Sequence, residues 1–412
     1  MMQVELSDVL NVLPLRPQRN MAVHVRPAAE RALRYGHPWV FEDSIKKLSF
    51  EGQPGNIAVI FDQKDRFLAV GLYDPESEIR IKVLQHGKGA KINRDWFQQT
   101  LQTAAHIREP LAASGHTNGY RLVYGENDHL PGFVVDRYAE TLVVKLYTSA
   151  WLPHLRDVLP VLMAVQRCER LVLRMSRNME SVAHGLHDGM VLYGDMPDGP
   201  VEFTENSLCF AADVIHGHKT GYFFDQRDNR QRVRELSSGA DVLDVFAYSG
   251  GFSVYAAAGG AKSVLSTDIS GPALDSAKHN FALNRDVTGD AHHETLLGDA
   301  FEVLQQLKNQ RRQFDVVVID PPAFAKRQSE VDGALGAYAR LAEVGSRLVR
   351  DGGHFVMASC SSRVNPAEFF AAVEHAIPFP LRNPITTGHA LDHPVTFPEG
   401  EYLKCLFTQF AR

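Results

Sequence analysis

The stretch Phe314-Asp315-Val316-Val317-Val318-Ile319-Asp320-Pro321-Pro322-Ala323-Phe324 decides the fold. Its first half is a β-branched apolar run with no polar alternation, the pattern of a strand buried on both faces and hence of a parallel sheet. Parallel sheets gather reactive groups at the carboxyl ends of their strands, in the crevice where ligands bind. Asp320 stands at that end. Pro321 and Pro322 fix φ and remove two amide donors, so the chain leaves the sheet as a stiff, extended loop. Such a loop suits a flat aromatic ligand such as a nucleobase. Further along, Gly352-Gly353-His354-Phe355-Val356-Met357-Ala358-Ser359-Cys360-Ser361-Ser362 delivers a cysteine past a second apolar strand in the same way. A carboxylate and a thiol brought to one rim by successive strands can act on one substrate.

Upstream, Asp241-Val242-Leu243-Asp244-Val245-Phe246 reads as another buried strand, and Ala247-Tyr248-Ser249-Gly250-Gly251 as a tight turn into a helix over 252–258. Glycines at such a turn let the backbone approach a ligand closely. Asp244, Tyr248, Ser249, Gly250 and Gly251 are therefore expected to line a cofactor. The full G-x-G-x-x-G fingerprint of a dinucleotide site is absent. The next strand ends in Asp268, placed to accept both hydroxyls of a ribose, and Asp299 follows the strand after it, where it is expected near an adenine amino group. One acid alone at such a place is a turn or cap residue; acids at successive strand ends followed by Asp-Pro-Pro form a pattern. S-adenosylmethionine fits it better than a dinucleotide, having a ribose diol and an adenine but no pyrophosphate.

The rest of the chain bounds the setting. Its 412 residues exceed one ordinary core. A hydrophobic content of 44%, a charged content of 22% and a net charge of -6 describe a globular protein that does not coat nucleic acid by charge alone. Cys168, Cys209, Cys360 and Cys405 are far apart with no C-x-x-C pair, which argues against a disulfide framework or zinc site and for a reducing cytoplasm. No secretory signal or membrane-length apolar run is apparent. Residues 1–20 read as a loose leader. Residues 21–95 read as a β-rich small domain with strands near 56–61, 67–73 and 78–84. Residues 96–200 read as a middle α+β segment with helices over 96–109 and 153–166, strands near 121–124, 133–136, 141–147, 170–175 and 190–193, and a Pro/Gly-rich linker over 194–200. From 201 to 412 strands and helices alternate as in a doubly wound sheet.

Several motifs together carry a resemblance. They are His218-Lys219-Thr220-Gly221-Tyr222-Phe223-Phe224-Asp225-Gln226-Arg227-Asp228-Asn229-Arg230, Phe246 to Phe252, Asp320 to Phe324, Ser359-Cys360-Ser361, His393-Pro394, Pro398 to Lys404, Gly36 to Phe41 and Gly125 to Gly132. The C-terminal region resembles a class I S-adenosylmethionine-dependent methyltransferase. The whole chain after residue 20 is similar to the bacterial large-subunit ribosomal RNA cytosine-C5 methyltransferases (the large-subunit methyltransferase I family). The resemblance implies an α/β fold: a Rossmann-like class I catalytic domain preceded by an N-terminal β-rich PUA domain that binds RNA and a middle α+β domain. It implies S-adenosylmethionine as cofactor, with Lys219, Gln226 and Arg227 near its methionine end, and large-subunit ribosomal RNA as partner. It leaves a homodimer open. His129 departs from the family pattern, standing where glycine is expected in a turn.

The chemistry gives each candidate a reason. C5 of cytosine is a poor nucleophile; a thiolate adding to C6 makes it enamine-like and able to take a methyl group. Cys360 is the candidate nucleophile, while Cys168, Cys209 and Cys405 read as core residues. Asp320 is expected to bind the N3/N4 edge and, when protonated, to donate to N3. Pro321 and Pro322 shape the base loop, and Phe324 is read equally as a stacking ring for an extruded base and as core. The helix over 225–235 puts Arg227, Arg230 and Arg234 on one face, a solvated basic stripe in its bland reading. Arg31, Arg34 and Trp39, with His37, are expected to touch RNA. Three rivals stand beside this reading. An N-methyltransferase of RNA guanine or adenine needs no Cys360. A small-molecule methyltransferase needs no extra domains, and a non-catalytic assembly factor needs no complete cofactor turn.

Overall fold

The computed structural model describes residues 4–177, 179 and 185–410. The chain forms two compact units, Met1–Phe203 with Ala212–Tyr222 and Leu391–Phe397, and Thr204–Ala211 with Phe223–Ala390 and Pro398–Arg412. No helix among the described residues is long and apolar enough to cross a membrane.

In the first unit, β1 (Met21–Val25), β2 (Trp39–Val40), β3 (Ile45–Leu48), β4 (Ile57–Phe61), β5 (Phe67–Tyr73) and β6 (Ile81–His86) form one sheet in the order β2-β6-β5-β4-β1-β3. A second sheet, ordered β11-β10-β9-β8-β7, contains β7 (Gly119–Tyr124), β8 (Phe133–Tyr138), β9 (Thr141–Leu146), β10 (Arg170–Met175) and β11 (Met190–Tyr193). The segments expected as separate domains, 21–95 and 96–200, share a core: Val70, Leu72 and Leu84 of the first sheet belong to the same buried cluster as Phe97, Phe133 and Trp151. The leader is not loose. Leu6–Val12 is a helix, and Val9 and Leu13 are buried in that same cluster. The start of the expected linker is also held, since Gly194 exchanges two backbone hydrogen bonds with Val4. His129 takes the left-handed conformation (φ 60°) that the turn requires, closing Gly125–Asp128, so the departure from glycine leaves the turn in place.

Arg108 ties this unit together. It is fully buried, and its guanidinium donates to both oxygens of Asp128 (2.8 and 2.7 Å) and to the carbonyls of Ala104, Arg121 and Asp392. All five N–H groups are thereby used, which is what allows the charge to be buried.

In the chain passage between the units, β12 (Val201–Glu205) and β13 (Leu208–Ala212) form a two-stranded sheet. The second unit is built on β14 (Asp241–Val245), β15 (Ser263–Asp268), β16 (His292–Leu297), β17 (Phe314–Ile319), β18 (Val349–Ser359), β19 (Leu381–Thr387) and β20 (Lys404–Phe410). Their order is β16-β15-β14-β17-β18-β20-β19. The first five in that order run parallel, and β20 is antiparallel to both its neighbours. The order reverses beside β14, which opens the crevice at the carboxyl ends of β14 and β17. The expected doubly wound sheet is present, with the quoted run as its central strand β17.

Replacing Arg108 with methionine leaves the Asp128 carboxylate buried without its cation. Urea unfolding of Arg108→Met is expected to show a loss of about 3–5 kcal/mol.

Candidate active site at the carboxyl edge of the seven-stranded sheet

The turn after β14 is a left-handed structure. Phe246 (φ 64°), Tyr248 (φ 49°) and Gly250 (φ 75°) all have positive φ. A Cβ on Gly250 would sit 2.9 Å from the Cβ and 3.1 Å from the Cα of Ala277, so only glycine fits the close approach to the helix Gly271–Ala282. Asp268 braces the turn: Oδ2 accepts from the Tyr248 amide (3.0 Å) and Oδ1 from the Ser270 amide (2.9 Å). Each oxygen keeps a further lone pair, compatible with the ribose role expected of it.

Beneath the turn, Asp244 is buried to 1% exposure. Ser253 donates to Asp244 Oδ2 (2.6 Å), Ser253 and Ser266 share a 2.6 Å hydrogen bond, and Ser266 meets His293 Nε2 at 2.8 Å. Asp244 Oδ1 is buried with no hydrogen-bond partner. Burial and the nearby Asp268 push the Asp244 carboxyl up to about 6, and burial lowers His293 to about 4.

Asp320 follows β17 directly. Gln226 Nε2 donates to its Oδ1 (3.0 Å), and Gln226 is oriented in turn by Asn229 Nδ2, which Thr387 holds from the other side. Burial, with the charges of Asp225 and Asp244, pushes the Asp320 carboxyl up to about 7. Asp225 is held by the Tyr402 hydroxyl at 2.6 Å. The edge therefore concentrates acids, an arrangement that calls for a bound cation or a retained proton.

Cys360 lies just past β18, the strand paired in parallel with β17, and is partly accessible. Its Sγ is 3.8 Å from the Pro321 carbonyl oxygen, so thiol and Asp-Pro-Pro loop do meet. Pro321 is buried and Pro322 exposed. Phe324 is half-buried, its ring 5.1 Å from that of Tyr338 and 6.5 Å from that of Phe246. It thus packs on the core with part of its surface open, and both expected readings fit.

S-adenosylmethionine carries a sulfonium and an ammonium, and the unpartnered Asp244 oxygen and the raised Asp320 suit a cationic ligand. A family model described as S-adenosylmethionine-dependent methyltransferase matches residues 164–384, and a PUA-like domain model matches residues 23–86. A ribosomal RNA large subunit methyltransferase of Deinococcus radiodurans is 46% identical over 405 residues, covering 96% of this chain and 99% of the relative. The chain belongs to the large-subunit ribosomal RNA methyltransferase family. A ribosomal RNA large subunit methyltransferase I of Shewanella denitrificans is 34% identical, covering 93% of this chain and 98% of its own. The crystal structure of a methyltransferase complexed with SAH superposes with a TM-score of 0.81 at 21% identity, covering 94% of this chain and 99% of that one. A SAM-dependent methyltransferase from Streptococcus mutans gives 0.79 at 19%, with the same coverage. The protein is an S-adenosylmethionine-dependent methyltransferase with a class I fold and an N-terminal PUA-like domain.

Other expected residues of this methyltransferase fall differently. Arg227 is not at an open ligand edge: it is buried to 1% exposure, 3.5 Å from Glu205, which Arg230 grips with two 2.9 Å hydrogen bonds. The solvated stripe is thus a buried ion cluster, with only Arg234 half-exposed. Lys219 belongs to the first unit, where its carbonyl accepts from Lys145 Nζ. Asp299 caps the helix Ala300–Asn309 through Oδ1, leaving Oδ2 for another partner. Ser249 is buried, its carbonyl held by Asn280. In the first unit Arg34 is paired with Glu30 and Asp62, Arg31 is exposed, and the Trp39 indole donates to Glu126 at 3.0 Å while stacking edgewise on Phe397. Arg34 and Trp39 therefore already have partners within the protein. Cys405 is buried with its thiol raised well above the ordinary value, and Cys168 is raised to about 11, both by burial. Sequence reasoning missed Asp225, Tyr402, Asn229, Thr387 and Lys404 as neighbours of the site. Asp225, Asn229, Tyr402 and Lys404 lay within quoted motifs, but their roles depend on tertiary register.

Two outcomes follow for the methyltransferase. The unfolded chain ionises Asp320 near 3.8 and the folded chain near 7, so the unfolded state releases its proton first and stability falls as pH rises between those values. Thermal melts of Asp320→Asn are expected to fall less than wild type between pH 4 and pH 7, with no gain at the acid end. Asp268→Ala removes the acceptors of the Tyr248 and Ser270 amides that brace the turn; calorimetry is expected to show S-adenosylhomocysteine binding weakened at least about tenfold.

Proposed function

We propose that this methyltransferase forms 5-methylcytosine in large-subunit ribosomal RNA in the cytoplasm, through a covalent bond between Cys360 and C6 of the base. The observation that carries the reading is the meeting of Cys360 Sγ with the Pro321 carbonyl, one residue from an Asp320 carboxyl pushed up to about 7. A rival that methylates an exocyclic or ring nitrogen uses the Asp-Pro-Pro loop but leaves that thiol without a task.

In this mechanism the bound cofactor supplies an electrophilic methyl group on a sulfonium. Asp268 holds the ribose, Asp299 lies toward the adenine, and Gln226, Asp244 and the turn from Tyr248 to Gly251 line the rest of the pocket. Pro321, Pro322 and Phe324 present a flat, apolar wall to an extruded base, and such a base needs an apolar sandwich once unstacked. Cys360 Sγ, as thiolate, bonds to C6 while Asp320, protonated, donates its proton to N3, so that charge does not accumulate on the ring. The electron pair then at C5 takes the methyl group. Loss of the C5 proton to a base pushes out Sγ as thiolate, N3 returns its proton, and the aromatic ring is restored. A carboxyl ionising near neutral pH serves both proton movements.

Cys360→Ser is expected to bind S-adenosylhomocysteine as wild type does and to lose formation of 5-methylcytosine by at least about a thousandfold, because a hydroxyl is a far weaker nucleophile at neutral pH. Nucleoside mass spectrometry of RNA from a deletion strain complemented with either form reads this out. RNA carrying 5-fluorocytosine should trap the wild-type chain as a stable adduct through Cys360. Near wild-type methylation by Cys360→Ser would rule out the cysteine mechanism and favour the nitrogen methyltransferase.

A further inference from the structure

Lys404 opens β20, and its backbone is in register with Ser359, the last residue of β18. The side chain is buried to 1% exposure and reaches over the turn that follows Cys360. There Nζ donates to the carbonyls of Ser361 (2.6 Å) and Val364 (2.9 Å). An ammonium has three N–H groups, and these bonds leave one unused. No carboxylate among the described residues lies within ion-pair distance of Nζ; Glu401 acts on it only from further off. A buried cation without a carboxylate is costly, and the ionisable group with the strongest favourable effect on it is the Cys360 thiolate.

We propose that Lys404 is the positioning residue of the Cys360 nucleophile: its ammonium holds the turn Ser361–Val364 and supplies the positive charge that stabilises the thiolate. The inference rests on the cysteine mechanism above for its catalytic meaning; what stands on geometry is the ammonium on the Ser361 carbonyl, one residue past Cys360. Burial lowers the lysine to about 8, so it remains mostly protonated at neutral pH and loses its charge in mild alkali. Arg363 lies within the clamped turn itself, and acidic and neutral groups also stand near. Asp320 lies at the end of β17, Glu401 before β20, and Tyr338 on the helix Val331–Ser346, where its hydroxyl accepts from Ser359. An ionised Asp320 disfavours a thiolate, and the Lys404 ammonium favours it. A plain turn clamp is the competing role. It would need only a hydrogen-bond donor and would leave the thiol's acidity unchanged.

The full-length chain supplies the test. Alkylation of Cys360 by iodoacetamide is followed against pH, with mass spectrometry of the Cys360 peptide separating it from the other cysteines. Wild-type Cys360 is expected to react with an apparent pKa below the ordinary value of about 8.5. In Lys404→Met that value should rise by about one unit, with alkylation at neutral pH falling about tenfold, while Lys404→Arg should recover part of the loss. S-adenosylhomocysteine binding, measured by calorimetry, shows whether each variant is folded. A wild-type apparent pKa at or above the ordinary thiol value overturns the proposal whether or not the methionine variant folds. An unchanged profile in folded Lys404→Met overturns it too, and assigns the clamp role. If Lys404 sets the acidity of Cys360 while Cys360→Ser still methylates RNA, the pairing stands and the cysteine mechanism falls.

Discussion

Parallel pairing of β14, β17 and β18 forces the side chains that follow each strand onto one edge, and there several buried carboxyl groups lie close together. Asp225, Asp244 and Asp320 are each close enough to raise or be raised by another, and Arg230, whose charge acts on Asp244 and Asp320, is also committed to Glu205. Desolvation makes such a cluster tolerable only when a proton stays or a cation arrives. Either solution serves a site that binds a sulfonium. The hydrogen bonds around the cluster support this view. Tyr402 on Asp225, and Thr387 and Asn229 behind Gln226, orient the acids without neutralising them.

Much of this was legible in the sequence. The run ending at Ile319 gave a strand with the same bounds in the structure, and the strands at 67–73, 170–175 and 190–193 match as well, because continuous apolar runs bounded by turn residues leave little choice. Cys360 and Asp320 were expected on one rim because successive strands deliver them, and Cys360 Sγ lies 3.8 Å from the carbonyl of Pro321, the residue after Asp320. What failed had specific causes. Arg227 and Arg230 lie on a helical face at the spacing of a surface stripe, and only tertiary packing brings Glu205, from a distant strand, to bury them. The leader looked loose because its apolar run is short, yet Val9 and Leu13 need only one groove to be buried. Lys404 closed a quoted motif without a role of its own; its place over the Cys360 turn depends on the antiparallel register of β20, which no local pattern encodes.

The first unit follows the opposite electrostatic rule. Arg108 is buried with every donor satisfied, Arg121 is paired twice with Asp136, and the Thr220 hydroxyl adds a bond to the same carboxylate. Charges there are closed pairs that hold structure, whereas at the carboxyl edge of the second unit carboxyl groups cluster and Asp320 is raised to about 7. Within this unit Arg34 and Trp39 have partners in the protein, and Arg31 and Arg34 are both exposed.

The row from Asp244 through Ser253 and Ser266 to His293 has a direction. Each serine has one proton to give. With Asp244 ionised, Ser253 must point its proton at the acid, Ser266 must donate to Ser253, and the imidazole must carry its proton on Nε2. With Asp244 protonated, every bond can reverse, and the proton of the neutral imidazole moves to Nδ1. His293, two strands away at the sheet's edge, is thus a tautomeric reporter: its ring nitrogens record whether the acid beneath the cofactor turn is charged.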